Sequence, residues 1–194
     1  DGLVQAAEDA LDKAMSVVKV GVKASDVGRA IEATIKQRGF KPIANLSGHS
    51  LDKYTIHAGK TIPNIWSIGG FTLSGDSAYA CEPFVTTADA GGFVRNGKIK
   101  NIFSLNSRKK TKNLEADKLL DFIWENFNML PFALRWITKQ WEEKEARELL
   151  DYLIKKKAVQ AYSVLVEIHG QRVAQAEHTF IPNETGVLVT TISQ

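Results

Sequence analysis

Apolar side chains in the first eighteen residues recur at steps of three and four: Leu3, Ala7, Ala10, Leu11, Ala14, Met15 and Val18. That spacing lays one stripe along a helix and predicts an α-helix over residues 3–18, with Gly21 as its stop. Ser25 then stands as a candidate N-cap, Asp26 suits a first turn, and Val27, Ile31 and Ile35 give the inward face of a second helix that Gly39 ends. Over residues 40–104 the period changes. Gly, Ser, Thr and β-branched residues dominate, and Tyr79–Thr87 and Lys98–Leu105 read as strands. From Lys109 the pattern is helical again. Asn113 is a candidate cap for LEADKLLDFIWENF, with Leu114, Leu119, Phe122, Ile123 and Phe127 as the stripe. A second helix is predicted near Pro131–Trp141 and a third near Glu143–Lys156. Residues 161–180 alternate around His169-Gly170, which predicts a β-hairpin, and Val187–Ile192 predicts a closing strand.

This order of elements makes an α+β protein interrupted by a helical insert. The sheet-bearing part comprises residues 1–107 and 160–194, and the inserted subdomain residues 108–159. Composition narrows the picture further. At 194 residues and 44% hydrophobic the chain can bury a full core. A net charge of +3 is too weak to argue for nucleic acid. The single cysteine, Cys81, excludes an internal disulfide and matches a reducing compartment. The opening DGLVQAAEDALDKAM carries acids among its apolar positions and does not read as a signal peptide. No run approaches the roughly 18 apolar residues of a membrane span. The expectation is a cytoplasmic protein without a membrane partner.

Four residues stand out for chemistry: His49 in Gly-His-Ser, His57 in Ile-His-Ala-Gly-Lys, Glu82 in Cys-Glu-Pro-Phe and Glu177 in Gln-Ala-Glu-His-Thr. Both glutamates lie on β-forming segments expected to be at least half buried. A carboxylate there needs a partner, because an unpaired buried charge is costly. A divalent metal is one such partner, and imidazole with carboxylate suits Mn, Fe, Co or Zn. A salt bridge is another, and a loop histidine is more often a cap or a surface residue than a ligand. The eight-residue step from His49 to His57 matches no helical zinc motif. Spacing alone leaves the choice open.

The strings NLSGHS, YTIHAGKTIPN, CEPF and QAEHT, in that order and with a long helical insert before the last, resemble the methionine aminopeptidases of type II, the archaeal and eukaryotic form. Prolidases share the Gly-His loop and the Glu-Pro strand, but their last glutamate usually sits in Arg-Ile-Glu-Asp rather than Ala-Glu-His-Thr. The resemblance covers essentially the whole chain. It implies the second half of a pita-bread α+β fold carrying a three-helix, winged-helix-like insert. It also implies two divalent metal ions (Co, Mn, Fe or Zn). His49, Glu82 and Glu177 would be metal ligands, with Glu82 also moving protons. His57 would bind substrate rather than metal, and Ile56 and Tyr162 would line a methionine pocket. The implied activity removes the initiator methionine from nascent polypeptide N-termini when the second residue is small.

The same resemblance implies five metal-binding residues, two of them aspartates from a hairpin. Asp1 and Asp12 have the right separation of eleven, but they fall on an amphipathic helix pattern and are rejected. The aspartates are therefore expected upstream of Asp1, and the full-length protein is expected to be a monomer. Cys81 is expected as a small buried hydrophobe, His178 as a structural residue on the opposite strand face and His169 as a turn residue. Three helices and a hairpin also suggest a winged helix. The insert mixes acids (Glu115, Asp117, Asp121, Glu142, Glu143, Glu145, Glu148) with its lysines, so nucleic acid is not the expected partner. The competing reading is a non-catalytic relative that binds protein or RNA, or an inactive fragment.

Overall fold

A computed structural model describes residues 2–192. In chain order the elements are α1 (Gly2–Val17), α2 (Ala24–Gln37), β1 (Lys41–Pro42), β2 (Ser47–Leu51), β3 (Thr61–Pro63), β4 (Ala78–Cys81), β5 (Phe84–Thr86) and β6 (Val94–Leu105). They continue with α3 (Leu114–Phe127), β7 (Phe132–Ala133), α4 (Leu134–Ile137), α5 (Glu143–Lys155), β8 (Val159–Glu167), β9 (Val173–Gln175), β10 (His178–Pro182) and β11 (Val187–Val189). Two compact units result, one comprising Asp1–Arg95 with Val166–Gln194, the other Asn96–Leu165.

In the first unit, the stripe of α1 buries Leu3, Ala7, Ala10, Leu11 and Ala14, and α2 buries Val27, Ile31 and Ile35. The alanines let other chain segments come close. These faces share a core with Ile62, Tyr79, Val85 and Phe180 from the strands. Tyr79 stacks between Phe71 and Phe180, at 5.5 Å from each ring centroid. Burying one such Ile or Leu contributes about 1.5–3 kcal/mol. Ser25 is not a cap. Helix α2 begins one residue earlier, its N-cap is Lys23 with no side-chain bond, and Ser25 is buried in the first turn. Asp12 sits on α1, and Asp1 lies outside the described residues.

The main sheet runs β11-β10-β4-β2-β3, with every pair antiparallel, and a smaller sheet runs β1-β5-β9. The segment expected as one strand over residues 79–87 is therefore two, β4 and β5, broken at Glu82-Pro83. Proline has no N–H to continue a ladder. The chain between β8 and β9 does turn, with Gly170 at φ 76° and its N–H bonded to the Glu167 carbonyl. It is not a hairpin: β8 joins β6 in a third sheet, whereas β9 joins β5. Alternation identified strands there but not their partners.

The second unit buries Leu119, Leu120 and Ile123 of α3, Leu134 and Ile137 of α4, and Leu149, Leu150 and Leu153 of α5 around Phe103 and Phe132. The Asn113 side chain caps α3, accepting from the N–H groups of Glu115 and Ala116. Leu114 departs from the expected stripe. It occupies the first helical position and is 78% exposed. The helix expected over residues 131–141 shrinks to Leu134–Ile137, because Phe132 and Ala133 pair with Phe103 and Ile102 of β6 as strand.

Candidate metal centre

Strand β2 places His49. Its register with β4 sets His49 beside Ala80, and Gly48 lies against the same strand. A Cβ added at Gly48 would come 2.1 Å from the Ala80 carbonyl oxygen, so only glycine permits this approach. The loop after β2 is closed by Ser50, whose carbonyl accepts from Ala58 N–H and whose hydroxyl accepts from Lys60 N–H. That closure holds His57 against His49, with ring centroids 4.2 Å apart and planes at 67°.

The glutamates come from two antiparallel segments. Cys81 pairs with His178, and Phe84 pairs with Gln175. Continuing that register across the break sets Glu82 opposite Glu177. Like charges directly opposite are unfavourable. Gln175 answers this: its side-chain amide donates 3.0 Å to Glu82 Oε2 and 3.2 Å to Glu177 Oε2. On the other side of Glu82, Oε1 lies 3.1 Å from His49 Nε2. The side chains of His49 and Glu82 are only 12% and 13% exposed. Glu82 Oε1 is buried and has no well-formed hydrogen bond. Unlike the expectation, Glu177 is exposed, in the short gap between β9 and β10.

The electrostatics follow from this placement. Burial, and then the neighbouring Glu177, push the Glu82 carboxyl up to about 7. Burial and the His57 ring hold His49 below its ordinary value, against a hydrogen-bond contact with the Ser50 carbonyl. When the imidazole hydrogen is on Nδ1, toward the Ser50 carbonyl, Nε2 and the carboxylate oxygen 3.1 Å away are two acceptors facing one another. A proton or a cation between them satisfies both.

The donor chemistry fits a divalent ion: one imidazole and two carboxylates, with the thiol kept out. Cys81 is buried, and burial with the two glutamates pushes it up to about 12. The donors do not close a cage by themselves. Among the described residues no group of three or more His, Cys, Asp or Glu is arranged to hold a metal ion. What stands ready is the His49–Glu82 pair, with Glu177 joined to it through Gln175.

Ile56 precedes His57 on the same loop and is 36% exposed. Tyr162 belongs to the second unit, where its hydroxyl bonds to Ser104 Oγ at 3.1 Å and to Gln160 Nε2 at 2.7 Å. His178 bonds to Thr191 Oγ1 at 2.9 Å, and its backbone continues the sheet. Gln175 is the one member of the cluster that sequence reading missed. The signal was present: two residues before Glu177 in a strand means the same face.

His49 of β2 and the two glutamates at the strand breaks thus gather beside an antiparallel sheet. The chain belongs to metallopeptidase family M24, whose model matches residues 2–102. The relatives it resembles in particular are archaeal methionine aminopeptidases. That of Saccharolobus solfataricus is 40% identical over 193 residues, covering 98% of this chain and 64% of the relative. That of Thermococcus kodakarensis is also 40% identical, with the same coverage. That of Methanocaldococcus jannaschii is 36% identical, covering 97% and 63%. The chain thus spans just under two thirds of the length of these relatives.

Among solved structures, the methionine aminopeptidase of Rickettsia prowazekii superposes with a TM-score of 0.60 at 17% identity, covering 98% of this chain and 51% of that one. A thermophilic Arx1 superposes at 0.72 and 16% identity, covering 96% and 55%. At these identities the likeness concerns the fold, which is the α+β pita-bread fold. The family implies divalent metal as the catalytic group. No helix among the described residues is long and apolar enough to cross a membrane.

Proposed function

We propose that this chain carries the histidine and glutamate ligands of a two-metal methionine aminopeptidase that trims nascent polypeptides in the cytoplasm. The observation that carries this reading is the 3.1 Å approach of His49 Nε2 to Glu82 Oε1. Both side chains are nearly buried, and Glu177 is tied to them through one glutamine. The 36–40% identity to archaeal methionine aminopeptidases supports the substrate assignment.

In this reading His49, Glu82 and Glu177 would hold the ions. Two aspartates outside residues 1–194 complete the set. The ions, when bound, supply Lewis acidity toward water and the scissile carbonyl, for which Co, Mn, Fe and Zn are all competent. The chain's own residues do the rest. Glu82, beside His49, takes a proton from the attacking water and returns it to the leaving amine. His57, exposed beside His49, donates a hydrogen bond to the substrate carbonyl oxygen as negative charge develops there. Ile56 is assigned to the methionine side-chain pocket. The insert over residues 108–159 is assigned to a winged-helix-like subdomain, and the complete protein to a monomer.

Hydrolysis of a Met-Ala-Ser peptide by the full-length protein with added Mn²⁺ or Co²⁺ tests the assignment, alongside metal content. Glu177→Ala is expected to lose metal and activity together. His57→Ala is expected to slow turnover while metal content stays at the wild-type level. Full metal retention in Glu177→Ala would reject the ligand assignment. Loss of metal in His57→Ala would reject the division between the two histidines.

A further inference from the structure

We infer that Gln175 is a positioning residue that holds the two glutamates of the proposed metal site in register by donating one amide hydrogen to each. The inference rests on the functional reading above and extends it to a residue that reading does not use.

Three observations converge. First, the pairs Cys81–His178 and Phe84–Gln175 fix one antiparallel register, and within it Glu82 and Glu177 face each other across the break between β4 and β5. Second, the ladder offers little to fix those two side chains, because this is where it is interrupted. Pro83 has no N–H to give, and the remaining backbone bond, Ala176 N–H to the Pro83 carbonyl, is long at 3.3 Å. Third, Gln175 is anchored in β9 by its pairing with β5, and strand alternation turns it to the same face as Glu177.

The chemistry selects glutamine. The acceptors are Oε2 of Glu82 at 3.0 Å and Oε2 of Glu177 at 3.2 Å. Two carboxylates offer only acceptors, and a carboxamide NH₂ offers two donors without adding charge. A lysine in this place would bring a positive charge against an incoming cation. A glutamate would bring a third acceptor into a cluster already short of donors. The NH₂ group occupies one oxygen of each carboxylate and leaves Glu82 Oε1 directed at His49 Nε2. Holding ligands from outside the donor set in this way typically changes metal affinity by about 10–100-fold.

Gln175→Met tests this, since methionine keeps the length and bulk of the side chain but donates no hydrogen bond. Mn²⁺ binding to the full-length protein is measured by titration calorimetry for wild type, Gln175→Met and Glu177→Ala, and the chelator-treated Gln175→Met protein is crystallised. The expected result is Mn²⁺ affinity weakened about tenfold or more at unchanged stoichiometry, with Glu82 or Glu177 turned away from its wild-type rotamer in the metal-free crystal. Wild-type affinity together with unmoved glutamates in Gln175→Met would overturn the proposal. If Glu177→Ala loses Mn²⁺ in that same experiment, the metal site itself stands. If the wild type takes up no Mn²⁺, the metal reading fails instead, and the metal-free crystal alone decides whether Gln175 holds the glutamates.

Discussion

The two units bury their polar groups differently. In the second, the core is a set of leucines, isoleucines and phenylalanines from α3, α4, α5 and β6, and its charged residues lie outside it. In the first, an equally apolar core ends at a strand break where a carboxylate and an imidazole are nearly buried against each other. Stability accounts for the second unit. The first contains an arrangement that costs stability unless a proton or a cation sits in it.

The largest expected effect separates the units. Leu119 is fully buried in the helical core. Leu119→Ala should destabilise by about 2–5 kcal/mol, read by denaturant unfolding, while Mn²⁺ affinity stays unchanged. A loss of metal binding in the same variant would show that the units do not behave separately.

A second prediction uses pH. The Glu82 carboxyl is raised from 4.5 to about 7 in the folded chain, first by burial and then by Glu177. A raised acid stabilises the fold fully below its unfolded value and loses that contribution as pH rises through the folded value. In metal-free protein the stability of wild type relative to Glu82→Gln should therefore fall between about pH 4.5 and 7.5, by up to about 3 kcal/mol. Mn²⁺ uptake should move the opposite way, strengthening as the pH passes 7 and the competing proton leaves. A flat difference between the two proteins across this window would remove the electrostatic contrast between the units.

Gly48→Ala ranks next. Its Cβ would meet the Ala80 carbonyl at 2.1 Å, so β2 must shift away from β4. The expected cost is about 1–3 kcal/mol together with displacement of His49, seen as weaker Mn²⁺ binding out of proportion to the loss of stability. The helical core of the second unit contains no comparable glycine contact among the described residues.

Legibility from sequence also differs between the units, for physical reasons. Helical stripes read true in both apart from Leu114, from Ala7 and Ile31 to Leu119 and Ile123, because a 3.6-residue period records which face is buried. Pairing did not read true. The residues around His169-Gly170 alternate like a hairpin, yet their strands join different sheets, since alternation encodes a face and not a neighbour. Phe132 and Ala133 looked helical because nothing local announces that β6 will recruit them. At the candidate centre, His49, His57, Glu82 and Glu177 were found through their strings, because spacing along the chain does not record convergence in space. Gln175 escaped notice because a neutral side chain raises no question of compensation until the two carboxylates are seen to face each other.

The smallest effect compares two helix starts, one in each unit. Helix α3 opens on Asn113, whose side-chain oxygen accepts at 3.0 Å from Glu115 N–H and at 3.1 Å from Ala116 N–H. Two of the four N–H groups that a helix leaves unpaired at its start are thereby satisfied. Helix α2 opens on Lys23, which makes no side-chain cap, and instead the Ala24 N–H reaches the Phe71 carbonyl at 3.0 Å. A helix capped by its own side chain should lose that contribution when the side chain is cut back, and a helix started by tertiary contact should not. Asn113→Ala is therefore expected to cost about 1 kcal/mol, and Lys23→Ala to stay within about 0.5 kcal/mol of wild type, both by chemical denaturation at equal pH. Equal costs at the two positions would mean that the start of α3 is fixed by packing of its buried face against the helical core, with the Asn113 bonds incidental to it.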